Sequence, residues 1–67
     1  MHAQSDYLTS REAAELLRIS IHTLNHWRIC GRGPAFIKIG SAVRYARRDV
    51  DAWADRHRVR AGDIAPA

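Results

Sequence analysis

Ser20, His22, Thr23, Asn25, His26 and Arg28 crowd hydrogen-bond donors and acceptors into one short stretch of the chain. An Arg fork matches the O6 and N7 edge of guanine, an Asn amide matches N6 and N7 of adenine, and hydroxyls and further cations suit phosphate oxygens. A second basic group follows in Arg32, Lys38, Arg44 and Arg47, with Ser41 among them. Other chemistry is poorly served. His22 and His26 stand at i, i+4, but no third ligand sits at motif spacing and no His-Glu pair lies between them, so neither a metal nor any other cofactor is expected. Cys30 has no base placed for it and reads as a small, semi-buried hydrophobe. No catalytic constellation is visible, and the chain is not expected to be an enzyme.

The cations are concentrated. From Arg18 to Arg48 there are seven basic residues and no Asp or Glu, whereas residues 1–17 contribute −2 and residues 49–67 contribute −1 to a formal net charge of +4. Ten of the eleven basic residues are Arg, whose planar fork favours bidentate contacts to phosphate and guanine. A polyanionic partner is the natural inference; the competing readings are a solvated basic face and a protein-interaction module that meets an acidic partner. A nuclease built on the His pair is a further reading from another class, which DNA left uncut in divalent metal would remove.

Length and composition narrow the classes further. Sixty-seven residues make one small domain with a thin core, too small to enclose a deep substrate cavity. With Cys30 the only thiol, an intramolecular disulfide and a zinc finger of repeated cysteines are excluded. No uninterrupted apolar run exceeds three residues, as at Ala35, Phe36 and Ile37, so no membrane span or signal peptide is expected and the chain reads as cytoplasmic.

Three short helices and a hairpin must position these groups. Residues 1–6 read as a loose lead, with Tyr7 and Leu8 the first to pack. Thr9-Ser10-Arg11-Glu12 is a capping box that starts a helix at Ser10, with Ala13, Ala14, Leu16 and Leu17 forming its apolar stripe and an end near Arg18. Ser20 is the N-cap of a second helix with Ile21, Leu24 and Trp27 inward and Gly31 as C-cap; the polar residues from His22 to Arg28 are left for its outer face. Gly31-Arg32-Gly33-Pro34 breaks the helix. Phe36–Ile39 and Ala42–Tyr45 read as two strands around Gly40-Ser41, forming a hairpin. A third helix begins near Arg47, with Asp49 and Asp51 in its first turn, Val50, Trp53 and Ala54 inward, and an end by Arg58. Residues 59–67 read as a flexible tail. Trp27, Trp53, Tyr45 and Phe36 are assigned to the core rather than to base stacking.

Two short helices joined by a three-residue turn, with a polar face on the second, are the parts of a helix-turn-helix. Ala14 is the small residue that lets the helices approach. Arg18 departs from the motif, since a turn glycine is common there, but a turn residue need not have positive φ if the connection is built differently. Further marks are Leu8-Thr9 with Glu12-Ala13-Ala14, Thr23-Leu24, Trp27-Arg28, Gly33-Pro34, Lys38-Ile39-Gly40 with Val43-Arg44-Tyr45, and Asp49-Val50 with Ala52-Trp53. In this order, from Tyr7 to about Trp53, they resemble the excisionase-like winged-helix DNA-binding family, relatives of the MerR-type DNA-binding domains.

The resemblance implies a mainly α fold with a small β-hairpin, a winged helix-turn-helix over residues 7–58. It further implies a second helix in a major groove of double-stranded DNA and a wing along an adjacent minor groove. Thr23, Asn25, His26 and Arg28 would then face bases and phosphates, with Ser20 or Thr23 on phosphate. Lys38, Ser41 and Arg44 would be wing contacts, and Arg32 and Arg47 positioning contacts to phosphate. The family includes excisionases of phages and integrative elements and small AlpA-like transcription regulators. Small size without an appended effector domain favours the first group. Such a recombination directionality factor binds and bends attachment-site DNA, self-associates along it and assists a site-specific integrase in excising a mobile genetic element; a regulator would use the same surfaces at a promoter.

Overall fold

A computed structural model describes residues 6–59, so most of the expected lead and tail lies outside the described residues. Strand β1 (Tyr7–Leu8) leads through Thr9 into helix α1 (Ser10–Leu17). The Glu12 N–H donates to the Thr9 hydroxyl at 3.1 Å, and the Thr9 N–H donates to the Glu12 carboxylate at 2.9 Å. Two donors that the helix would otherwise leave open are thereby satisfied, as the Thr9–Glu12 spacing predicts.

The turn out of α1 departs from expectation. Arg18 adopts φ 60°, ψ 40°, the left-handed conformation. Its N–H donates to the Glu15 carbonyl at 3.1 Å and the Ile19 N–H donates to the Ala14 carbonyl at 3.0 Å, the two bonds of a Schellman closure. The connection is thus built as a glycine would build it, at a cost of roughly 1 kcal/mol or more for a residue with a Cβ. Ile19, packed against the core, is the apolar contact that commonly accompanies this closure.

Helix α2 (Ile21–Ile29) starts on Ser20, whose hydroxyl accepts from the His22 N–H at 3.0 Å. It closes in the same manner as α1, with Arg32 N–H donating to the Trp27 carbonyl at 2.6 Å and Gly31 N–H to the Arg28 carbonyl at 3.3 Å. Here a glycine, Gly31 at φ +78°, takes the left-handed position one residue beyond Cys30.

Strands β2 (Ile37–Ile39) and β3 (Ala42–Ala46) form the expected antiparallel hairpin around Gly40-Ser41, each displaced from its predicted bounds by one residue. Gly40, at φ +61°, supplies the positive φ that a two-residue hairpin loop requires. The β1 strand pairs with the other edge of β3, Tyr7 opposite Ala46 and Leu8 opposite Tyr45, giving the order β1-β3-β2. The Arg47 N–H donates to the Asp6 carbonyl at 2.7 Å beyond that pairing. Two residues are too few to show an alternation, so this strand had no sequence signature.

Helix α3 (Arg47–Arg56) follows β3 directly, with Asp49 in its first turn, Val50 buried, and Trp53 and Ala54 half-buried. The core is Ala13, Ala14, Leu24, Tyr45 and Val50, ringed by Leu8, Leu17, Ile19, Ile21, Trp27 and Val43. Three assignments are corrected. Leu16 is 38% exposed, because it lies about 100° around α1 from the centre of the Ala13, Ala14 and Leu17 face. Phe36 is 42% exposed, since it precedes β2 and covers Tyr45 from outside at a ring separation of 6.2 Å. Cys30 is exposed, because it stands beyond the last turn of α2.

Candidate nucleic-acid interface

Helix α2 presents a different face from the one its polar residues suggest. At about 100° per residue, Ile21, Leu24 and Trp27 define the inward direction, and Arg28 falls beside it, four residues after Leu24 and seven after Ile21. The outward direction is held by His22 and His26, with Ile29 in line with them at i+7 and i+3. Burial agrees: Leu24 is fully buried and Arg28 half-buried, whereas His22, His26 and Cys30 are exposed and Ile29 is 76% exposed. Arg28 therefore does not share the outer face assigned to it. The i+4 relation to Leu24 was the signal that could have placed it, and the i+7 relation to His22 could have brought Ile29 into the site.

The remaining α2 residues sit at the margins. Asn25 and Thr23 are half-buried, and the Asn25 Oδ1 accepts from Arg28 Nη2 at 3.5 Å. Ser20 is exposed, its oxygen accepting from His22 N–H while its own proton remains available to an acceptor. One turn after His26 comes Cys30, its Sγ 3.6 Å from His26 Nε2. Among the described residues, no three His, Cys, Asp or Glu side chains come together as a metal-binding group.

Arg28 is held on several sides. Its Cζ lies 5.8 Å from the centroid of the Phe36 ring, and its Nε is buried without a hydrogen-bond partner. Tyr45, fully buried, likewise has a hydroxyl with no partner in full hydrogen-bond geometry. Burial raises the Tyr45 pKa, while the charge of Arg28 and a hydrogen-bonding contribution from it pull in the opposite direction. The guanidinium and phenol are thus neighbours whose contact is present but not well aligned.

On the hairpin, Lys38 pairs with Val43, and Arg44 pairs with Ile37. Directly opposed residues share a sheet face and successive residues alternate, so Lys38 lies on the face of Val43 and Tyr45 while Arg44 lies on the other, with Ile37 and Ile39. The two wing cations occupy opposite faces. Ser41 is exposed at the tip, and Arg32 is exposed in the segment before β2. Arg44 Nη1 donates to its neighbour's Val43 carbonyl at 2.8 Å. Arg47 is drawn to Asp51 at 3.3 Å in an exposed pair along α3. Among the described residues no carboxylate pairs with Arg28, Arg32, Lys38 or Arg44, which leaves that part of the cationic surface uncompensated.

Behind α2, a cleft of about 270 Å³ is lined by Trp27, Arg32, Gly33, Trp53 and His57. The two indoles meet at 5.5 Å, and the His57 ring lies 4.2 Å from Trp53 with its Nδ1–H donating to the Trp53 carbonyl at 2.8 Å. These contacts tie the end of α2 to α3 and so set the angle at which α2 projects.

A helix pair closed by Arg18-Ile19-Ser20, with the second helix and an adjoining hairpin carrying unpaired cations, is the geometry of a winged helix-turn-helix. A family model described as a helix-turn-helix domain matches residues 7–58. The chain belongs to that DNA-binding family. No curated protein matches it. In this helix-turn-helix domain α2 is the recognition helix and the β2–β3 hairpin is the wing. Among the described residues no helix is long and apolar enough to cross a membrane.

Proposed function

We propose that this helix-turn-helix protein is a recombination directionality factor. It binds double-stranded attachment-site DNA, bends it cooperatively with further copies, and helps a site-specific integrase excise a phage or integrative element. It acts in the cytoplasm as an architectural protein without making or breaking bonds. In this reading His22, Thr23, Asn25 and His26 contact the major groove, Arg28 reaches it from beside the apolar face of α2 with a half-buried side chain, Ser20, Arg32 and Arg47 contact phosphate, and Lys38, Ser41 and Arg44 belong to the wing.

The observation that carries the reading is the placement of Lys38 and Arg44 on opposite faces of the wing, unpaired with any carboxylate among the described residues. A minor groove is walled by two phosphate strands, and a hairpin laid in it with a cation on each face meets both. Contacts on both walls favour deformation of the duplex, whose cost over a 20–30 bp site is about 1–6 kcal/mol and must be offset by such contacts.

The test is a footprint combined with a bend assay across the attachment region and the promoter of the element that encodes the chain. Several adjacent protected sites with a large cooperative bend at the attachment region support the proposal. A single promoter site without a bend assigns the domain to transcription regulation instead, and no protection anywhere overturns DNA recognition through these residues.

A further inference from the structure

Arg28 and Tyr45 belong to different elements of the site, the recognition helix and strand β3, which is shared by the wing and the three-stranded sheet. Each carries a buried polar atom without a partner, Nε in Arg28 and the hydroxyl in Tyr45. Buried polar groups are ordinarily satisfied, and these two orphans belong to side chains that pack against the same ring. Covering them from outside is Phe36, under the guanidinium at 5.8 Å and beside the Tyr45 ring at 6.2 Å. Asn25 Oδ1 holds the Nη2 side at 3.5 Å, the limit of a hydrogen bond. The guanidinium is therefore held by Phe36 from the segment before β2 and by Asn25 from its own helix.

We propose that Tyr45 is a positioning residue for base recognition: its hydroxyl accepts from Arg28 Nε when α2 seats in the major groove, which fixes the guanidinium plane and couples the wing to the reading of sequence. The inference rests on the reading of α2 as the helix that contacts bases. An Arg held through Nε keeps its two Nη groups as the fork, the arrangement that bidentate contact to guanine uses. Contacts that are long in the free protein commonly tighten in the complex, and a small shift of β3 against α2 would align this one. The wing then has two tasks, phosphate contact through Lys38 and Arg44 and orientation of Arg28 through Tyr45.

The experiment uses the whole chain and duplexes enriched by it from a random-sequence pool, with a scrambled duplex of the same length for comparison. Tyr45→Phe, which keeps the ring and removes only an unpartnered hydroxyl, is expected to retain the wild-type melting temperature or exceed it. Its preference for the enriched over the scrambled duplex is expected to fall about fivefold or more, with an unchanged salt slope, because the loss is in base reading and not in phosphate contact. In an Arg28→Ala background the same substitution should cost nothing further, since Tyr45 acts only through Arg28.

Wild-type selectivity in Tyr45→Phe overturns the inference, and so does an equal loss with and without Arg28. Enrichment of no duplex by the wild-type chain overturns the reading of α2 along with it. Should Tyr45→Phe melt well below wild type, Phe36→Leu, which removes the outer clamp on Arg28 at a partly exposed site, supplies the second comparison. A selectivity loss confined to the Arg28 background supports the coupling, and none overturns it.

Discussion

Gly33 lies against Trp27 so closely that a Cβ built on it would sit 3.3 Å from the Trp27 Cβ and 3.6 Å from Cε3. Its φ of +82° is also one that residues with side chains rarely adopt. The segment leading into the wing thus packs directly onto the recognition helix. Gly33→Ala is expected to destabilise the fold by about 1–3 kcal/mol, since strain and crowding act together. Urea unfolding of the two proteins gives the number, and equal midpoints would show that the segment yields freely.

Arg18 presents the opposite case. Its left-handed conformation is open to glycine without the Cβ penalty of about 1–2 kcal/mol, of which glycine's larger unfolded-state entropy takes back about 0.4–1 kcal/mol. Arg18→Gly is therefore expected to raise the melting temperature modestly. Thermal melts at one ionic strength decide it, and a fall below wild type contradicts the strain assigned to the turn.

The Thr9–Glu12 box makes a prediction about coupling. Thr9→Ala is expected to cost about 1 kcal/mol. Glu12→Ala should add less in the Thr9→Ala background than in the wild type, because the two bonds support one turn. A double-mutant cycle in denaturant measures this, with strict additivity as the result against it.

Tyr45 predicts a response to alkaline pH. Burial raises its folded pKa above the ordinary phenol value, so folding holds the proton that the unfolded chain releases first. The associated stability is fully present below about pH 10 and is lost as pH rises through the folded value. Wild type should therefore lose stability faster than Tyr45→Phe above about pH 10. Denaturation series at pH 8 to 11 on both proteins test it; parallel curves would remove burial of the phenol as the cause.

For the wing, Lys38→Ala and Arg44→Ala are each expected to reduce the slope of log K against log salt by about 0.9, with nearly equal weakening on enriched and scrambled duplexes. If one substitution changes the slope and the other does not, only one face of the wing meets phosphate.

Local signals in the chain specified local structure. Thr9 and Glu12 announced the start of α1, Ser20 the start of α2, Gly31 its end, and Gly40-Ser41 the hairpin tip, because caps and turns are satisfied by residues within a few positions of one another. The acid-free stretch from Arg18 to Arg48 likewise pointed to a polyanionic partner, since charge adds up whatever the fold. What the tertiary structure decided was the membership of faces. In α2, Arg28 stands on the apolar side and Ile29 on the polar side, so residue type and direction disagree there. The i+4 relation to Leu24 gives Arg28 its direction, and packing against Phe36 shows how the charge is accommodated there. Strand β1 was beyond local reading for a related reason: Tyr7 and Leu8 become a strand only because the free edge of β3, nearly forty residues later, offers them hydrogen bonds. The Arg18 turn is similar, its left-handed backbone being unfavourable for the residue alone and adopted in a closure that places Ile19 against the core.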